Sequence, residues 1–199
     1  MFRKKPPPPA LPAEWLVVGL GNPGPEYAAT RHNVGFELID RLAKKHRIDL
    51  KTRRHRGVYG AGEIEGVGAA LLKPLTFMNL SGQSVNPVMR EFGLRPERVL
   101  VIADELDFPL GKAKIKPSGG PAGHNGHRSI IQALGTDAYP RLRIGIGKGG
   151  DATVSHVLSR FTPDERDVLD DVLKACEEAV ERVVRDGLER GMEWLNARP

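Results

Sequence analysis

The stretch WLVVGLGNPG, residues 15–24, decides how the chain is read. Its first half is a short apolar run, rich in β-formers and ending in glycine, the pattern of a buried strand running into a loop. Its second half, Gly19-Leu20-Gly21-Asn22-Pro23-Gly24, has the G-x-G-x-x-G spacing of dinucleotide-binding loops, and Asp40 stands near the distance at which such folds carry a ribose-binding acid. Context overturns the match. The acid ought to end a second strand, yet Asp40 falls among Phe36, Ile39, Leu42 and Ala43, whose spacing of three and four predicts a helix after Asn33. Pro23 and Pro25 also remove amides that a pyrophosphate would use at a helix start. The glycine stretch is therefore a loop that presents Asn22, and His32 ten residues later, at the mouth of the first strand, where open α/β sheets bind ligands.

Working outward, the helix after Asn33 runs into a basic stretch at Lys44 to Arg56. Val58, Gly60, Gly62 and Ile64 alternate, and Glu65-Gly66 separates them from a second run ending at Lys73, which predicts a hairpin. Val85, Val88, Met89 and Phe92 predict a helix over about 80–93, weakened or kinked by Pro87. RVLVIADE, residues 98–105, reads as a central strand with Asp104 at its carboxyl end. Lys112 to Lys116 and Arg141 to Ile146 alternate with period two. Lys112, Lys114, Lys116, Arg141 and Arg143 are thus expected on outer faces, opposite Ala113, Ile115, Leu142 and Ile144. Between these strands lie the loop SGGPAGHNG, residues 118–126, and a helix carrying Ile130, Ile131 and Leu134, stopped by Gly135.

Thr162, Pro163 and Glu165 form an N-cap, a first-turn proline and a capping-box acceptor. The helix they start has a stripe of Leu169, Val172, Leu173, Cys176, Val180 and Val183, with Gly187 as its stop. These elements predict a single α/β domain over residues 14–199, a mixed twisted β-sheet flanked by α-helices. Residues 1–13, with Pro6 to Pro9 and Pro12, predict a disordered, proline-rich, basic tail.

With 40% apolar and 28% charged residues in 199, the chain has room for one full core, and no run approaches the roughly 18 apolar residues of a membrane span. One cysteine, Cys176, makes neither an internal disulfide nor a thiolate metal cluster, which suits a reducing cytoplasm. The net charge of +5 is polarised. Residues 110–148 hold seven bases against Asp137 alone, while residues 161–199 hold six bases against eleven acids. A basic half of this kind points to a polyanionic partner such as nucleic acid, or else to a solvated face.

Asn79 and Asn125 each stand in a loop leading to a helix. If those loops share the sheet's carboxyl edge with Asn22, His32 and Asp104, one base, one acid and three amides converge; each asparagine taken singly also reads as a helix cap. His124 and His127, three apart, fit a shared helix face, but no HExxH pattern or thiolate pair accompanies them and no metal is expected.

Five stretches carry a resemblance. GLGNPGPEYAATRHNVGFELID, KPLTFMNLSG, VIADELDFPLG, GHNGHRSI and RLRIGIG resemble the signature stretches of bacterial peptidyl-tRNA hydrolases, in that family's order and at its spacings. The family cleaves the ester joining a peptide to the 3′ ribose of tRNA. The resemblance implies that His32 is the general base that deprotonates water and that Asp104 accepts from its other ring nitrogen. It also implies that Asn22 distinguishes a blocked amino group from a free one. Asn79 and Asn125 match the other site asparagines; Tyr27 and Phe77, with Met78 beside them, match positions around the terminal nucleotide and the peptide. Lys114, Lys116 and Arg143 match positions that hold tRNA phosphates, contacts that give affinity without base readout. The resemblance further implies no cofactor, peptidyl-tRNA as the partner, no membrane, no obligate protein partner, and a cytoplasmic monomer. Imidazole, with an ordinary pKa of about 6.5, suits base catalysis near neutral pH, and the lack of a Gly-x-Ser-x-Gly elbow leaves water as the nucleophile.

The chain departs from the family in its glycine loop. Pro121-Ala122 replaces a usual His-Gly pair, which predicts a stiffer lid over residues 116–123, and Lys148-Gly149-Gly150 is an uncommon continuation. An alternative keeps the fold as an RNA-binding module without physiological hydrolysis; the intact His32/Asp104 pair speaks against it.

Overall fold

The computed structural model describes residues 11–150 and 153–199, so the tail expected over residues 1–13 lies outside the described residues except for its last three. The described strands are β1 (Trp15–Gly19), β2 (Thr52–Arg54), β3 (Gly57–Ile64), β4 (Val67–Pro74), β5 (Val99–Glu105), β6 (Ala113–Lys116) and β7 (Arg141–Gly145). They form one sheet in the order β2-β3-β4-β1-β5-β7-β6. β4, β1, β5 and β7 pair in parallel at its centre, while β2, β3 and β6 add antiparallel partners at the two sides.

The parallel centre explains why WLVVG and VLVIA are apolar throughout rather than alternating: helices cover both faces. On one face Val17, Leu100 and Ile102 pack against α1 (Val34–His46), α5 (Pro163–Asp186) and α6 (Leu188–Asn196). On the other, Leu16, Val18, Val99 and Val101 pack against α2 (Gly82–Glu91) and α3 (Asn125–Leu134). Each leucine or isoleucine sealed this way contributes about 1.5–3 kcal/mol. The short α4 (Thr153–Val157) lies between β7 and α5 in sequence.

The glycines of residues 19–24 have a packing reason. A Cβ on Gly19 would stand 2.1 Å from the Gly35 carbonyl oxygen, so Gly19 lets the start of α1 lie directly against the end of β1. Asp40 sits on α1, as its helical neighbours predict, with its carboxylate 2.5 Å from the Lys73 ammonium.

The hairpin β3–β4 turns at Glu65-Gly66, both left-handed at φ 52 and 80, and α5 begins with the complete Thr162/Glu165 capping box. Several boundaries move. α1 ends at His46 because Arg47 turns left-handed, and part of the basic stretch beyond it becomes edge strand β2. The helix expected over 80–93 is the shorter α2, with Pro87 inside it. Gly187 does stop α5, but a further helix, α6, follows at once. Its Asn196 side chain accepts from Ile115 N–H at 2.8 Å and donates to Ile115 O at 2.9 Å, covering the open edge of β6.

Arg141 corrects the expectation of a basic outer face. It is 3% exposed, donates to Gly120 O and Asp137 O, and stacks on Tyr139 with 4.3 Å from guanidinium carbon to ring centroid. The start of β7 lies under the glycine loop, which strand alternation alone does not reveal. Burial holds this guanidinium below its ordinary pKa.

Candidate active site

The site assembles at the carboxyl ends of β1, β4 and β5 and the amino end of α3. After β1 the chain loops out and returns through a 3-10 turn, Arg31–Asn33, that carries His32. Arg31 pins this turn to the α5 region: its Nε donates to Ser159 Oγ at 3.0 Å, and a terminal nitrogen lies 2.6 Å from Glu165 Oε2. Asp104, the next-to-last residue of β5, faces the α1 side. His32 Nδ1 lies 2.9 Å from both carboxylate oxygens of Asp104.

A second histidine meets the same carboxylate. His124 Nε2 lies 2.9 Å from Asp104 Oδ1, while its Nδ1 accepts the Gly126 N–H at the start of α3. Since Nδ1 is an acceptor, the neutral ring carries its proton on Nε2 and donates it to Asp104. Burial by itself would raise the Asp104 pKa, but the hydrogen bonds it accepts from His124 and His32 outweigh it. The carboxyl is held well below the usual range.

His32, Asp104 and His124 place three possible metal-ligand atoms within 4.8 Å of one another. The fit is poor, because a ring that ligates through Nε2 needs its proton on Nδ1, and the Gly126 N–H requires that nitrogen to be a lone pair. His127 does not join the group. Its Nδ1 lies 3.0 Å from the Tyr139 hydroxyl, and burial, aided by the charge of nearby Arg141, pushes its pKa well down and keeps the ring neutral.

His32 Nε2 has no partner among the described residues. His32 lines a cavity of about 410 Å³ together with Asp104, Lys116, Asn125 and Arg143. The other amides are close to this edge but differently placed. Asn22 lines a second groove, of about 800 Å³, with its Oδ1 accepting the Met78 N–H at 2.8 Å. Asn79 is exposed in the 3-10 turn Met78–Leu80 after β4. None of the three acts as a helix cap: α3 is capped by His124, and Asn125 is its first residue. Asn125 Oδ1 accepts from Arg128 at 2.7 Å. In both Asn22 and Asn125, therefore, a protein donor occupies the oxygen, and the NH₂ end is what remains to meet a ligand.

Tyr27 and Phe77 meet edge to face with centroids 6.4 Å apart, and Phe77 is 56% exposed, an apolar lip of the kind that accepts a planar ring. Met78 is buried beneath it. Of the expected phosphate-holding residues, Lys116 is exposed on the cavity wall, and Arg143 reaches that wall from β7, held by Glu105 at 2.6 Å and stacked on Phe108. Lys114 is turned away, its ammonium donating to Asn196 O at 2.6 Å. Cys176 is buried on the α5 stripe with its thiol pKa pushed up by burial, which disfavours the nucleophilic thiolate.

Sequence reasoning missed two partners: His124, weighed only as a metal ligand, and Glu105, the carboxylate that grips Arg143. The signal for Glu105 was its place beside Asp104 on a strand, which puts the two carboxylates on opposite faces. His124 had no such signal, since its contact with Asp104 depends on how α3 docks.

The family model for peptidyl-tRNA hydrolase matches residues 16–199. A peptidyl-tRNA hydrolase of Synechococcus sp. (strain JA-3-3Ab) is 47% identical, covering 98% of this chain and 88% of the relative. One from Geobacillus kaustophilus is 48% identical, covering 83% and 92%. The crystal structure of peptidyl-tRNA hydrolase from Acinetobacter baumannii superposes with a TM-score of 0.88 at 40% identity, covering 94% of this chain and 96% of that one. The chain belongs to the peptidyl-tRNA hydrolase family.

Proposed function

We propose that this enzyme hydrolyses the ester between a peptide and the 3′ ribose of tRNA by general-base catalysis from His32. Family membership sets the reaction and makes peptidyl-tRNA the substrate; an RNA-binding module without hydrolysis is not favoured. The observation that carries the mechanism is the contact of His32 Nδ1 with Asp104 at 2.9 Å, which leaves Nε2 free of protein partners among the described residues.

Asp104, ionised and buried, accepts the Nδ1–H and so keeps the lone pair on Nε2. Nε2 takes a proton from water, and the resulting hydroxide attacks the ester carbonyl carbon. Negative charge collects on the former carbonyl oxygen, where the NH₂ groups of Asn125 and Asn79 serve as donors; removing one such donor typically costs about 10²–10³ in rate. The intermediate collapses by breaking the carbon–oxygen bond to the ribose, and the 3′ oxygen takes the proton from the imidazolium. Asn22 reads the amino end of the acyl group. Tyr27, Phe77 and Met78 receive the terminal nucleotide and the peptide.

Lys116 and Arg143 hold backbone phosphates. Lys114, bonded to Asn196, acts at most as a more distant charge in this scheme. No cofactor enters. No described helix is long and apolar enough to cross a membrane, and the reading takes residues 14–199 as the hydrolase domain of a cytoplasmic monomer without an obligate protein partner.

The test is release of free tRNA from N-acetyl-aminoacyl-tRNA. His32→Ala should lower turnover about a thousandfold or more while retaining tRNA binding; turnover equal to wild type would remove His32 from the chemistry.

A further inference from the structure

Asn33 directly follows His32, stands at the N-cap position of α1 and is 7% exposed, yet its side chain makes no capping hydrogen bond. Its amide lies instead along the backbone of Asn22, eleven residues away. Asn33 Oδ1 accepts the Asn22 N–H at 2.9 Å, and Asn33 Nδ2 donates to the Asn22 carbonyl at 2.9 Å. Because backbone groups have fixed polarity, they settle which end of the Asn33 amide is oxygen. The Met78 N–H does the same for Asn22, whose Oδ1 it occupies. Three hydrogen bonds thus fix both the backbone of Asn22 and the direction in which its NH₂ group is offered.

We propose that Asn33 is a positioning residue for substrate selection: it holds Asn22 so that a donor, never an acceptor, faces the amino end of the acyl group. The inference rests on the reading of Asn22 given above. A free α-ammonium has only donors, so it meets the Asn22 NH₂ donor to donor, with no hydrogen bond and with loss of hydration. A blocked amino group brings an amide carbonyl, an acceptor, and forms the bond. An Asn22 loosened from this frame can turn its Oδ1 outward, accept from the ammonium and lose the distinction. Asn33 therefore places selection against aminoacyl-tRNA in the same turn that carries the base.

The experiment compares kcat/KM for N-acetyl-aminoacyl-tRNA with that for the same aminoacyl-tRNA unblocked, in wild type, Asn33→Ala, Asn33→Asp and Asn22→Ala, each checked for cooperative unfolding. The expected result is a preference for the blocked substrate reduced about tenfold in Asn33→Ala, the size of one lost charged-group discrimination, and mainly through gained hydrolysis of the unblocked one. Asn33→Asp, which keeps the acceptor for Asn22 N–H but loses the donor to its carbonyl, should fall between Asn33→Ala and wild type. If Asn33→Ala fails to fold, Asn33→Asp carries the comparison alone. Loss of activity on both substrates in equal proportion, with the preference intact in the Asn33 variants but reduced in Asn22→Ala, would overturn the positioning role. A preference unchanged in Asn22→Ala would instead overturn the reading of Asn22 itself.

Discussion

Asp104 is shared by two imidazoles with unequal freedom. His124 has one nitrogen on Asp104 and the other on Gly126 N–H, so it supports the carboxylate but has no lone pair for substrate; His32 has one. His124→Ala should therefore lower kcat by about tenfold, the scale of a lost supporting hydrogen bond, and less than loss of the base. A loss equal to that of His32→Ala would mean that His124 takes part in proton transfer. His127 contributes to stability rather than chemistry. Unfolded, it titrates near 6.5, whereas burial, with the charge of Arg141, holds the folded ring lower. As pH falls below about 6.5 the unfolded chain gains a proton that the folded one does not, so stability drops by at most about 1.4 kcal/mol per pH unit for this group. Urea unfolding at several pH values between 7.5 and 5.5 should show a shallower fall in His127→Gln than in wild type. An identical slope would show that the ring is not held neutral.

Strands β6 and β7 bring basic residues to the cleft, and the structure separates them by what each touches. Lys116→Ala and Arg143→Ala should each raise KM and reduce the salt dependence by about one phosphate contact. Lys114→Ala should chiefly lower stability, because its ammonium joins β6 to the end of α6. Salt curves altered by Lys114→Ala as strongly as by the other two would contradict that division. The turn before α3 carries another consequence. His124 N–H bonds to Pro121 O at 2.9 Å, and the central residues Ala122 and Gly123 both have positive φ, 48 and 79. Glycine takes that conformation freely, while alanine pays about 1 kcal/mol. Ala122→Gly should raise Tm by about 1–3 °C; a lower Tm would show that the Pro121-Ala122 pair stiffens the loop at no such cost.

Over the whole molecule the polarised charge has a structural account. Acids on α5 meet bases on α1: Glu177 and Asp170 pair with Arg41, and Glu181 with Lys45 and His46, while Arg166 reaches back to Glu37. Among the basic residues of 110–148, Lys116 stays exposed on the cavity wall. Local pattern was enough to read the first strand, the hairpin and the α5 capping box, because each depends on neighbours in sequence. The convergence of His32 with Asp104 needed the family resemblance, since seventy-two residues separate them. The burial of Arg141 under the glycine loop, the docking of His124 on Asp104 and the hold of Asn33 on Asn22 depend on tertiary packing and left no periodic trace. The account as a whole requires His32 and Asp104 to act as one unit in a cleft that also grips tRNA. Its most direct test is kcat on N-acetyl-aminoacyl-tRNA for His32→Ala, Asp104→Asn and the double variant. With His32 gone, Asp104 has no base to orient, so the double variant should match His32→Ala within about threefold, with Asp104→Asn alone losing about 10³ or more in kcat. Losses that multiply in the double variant would show the two residues working independently and would contradict the mechanism.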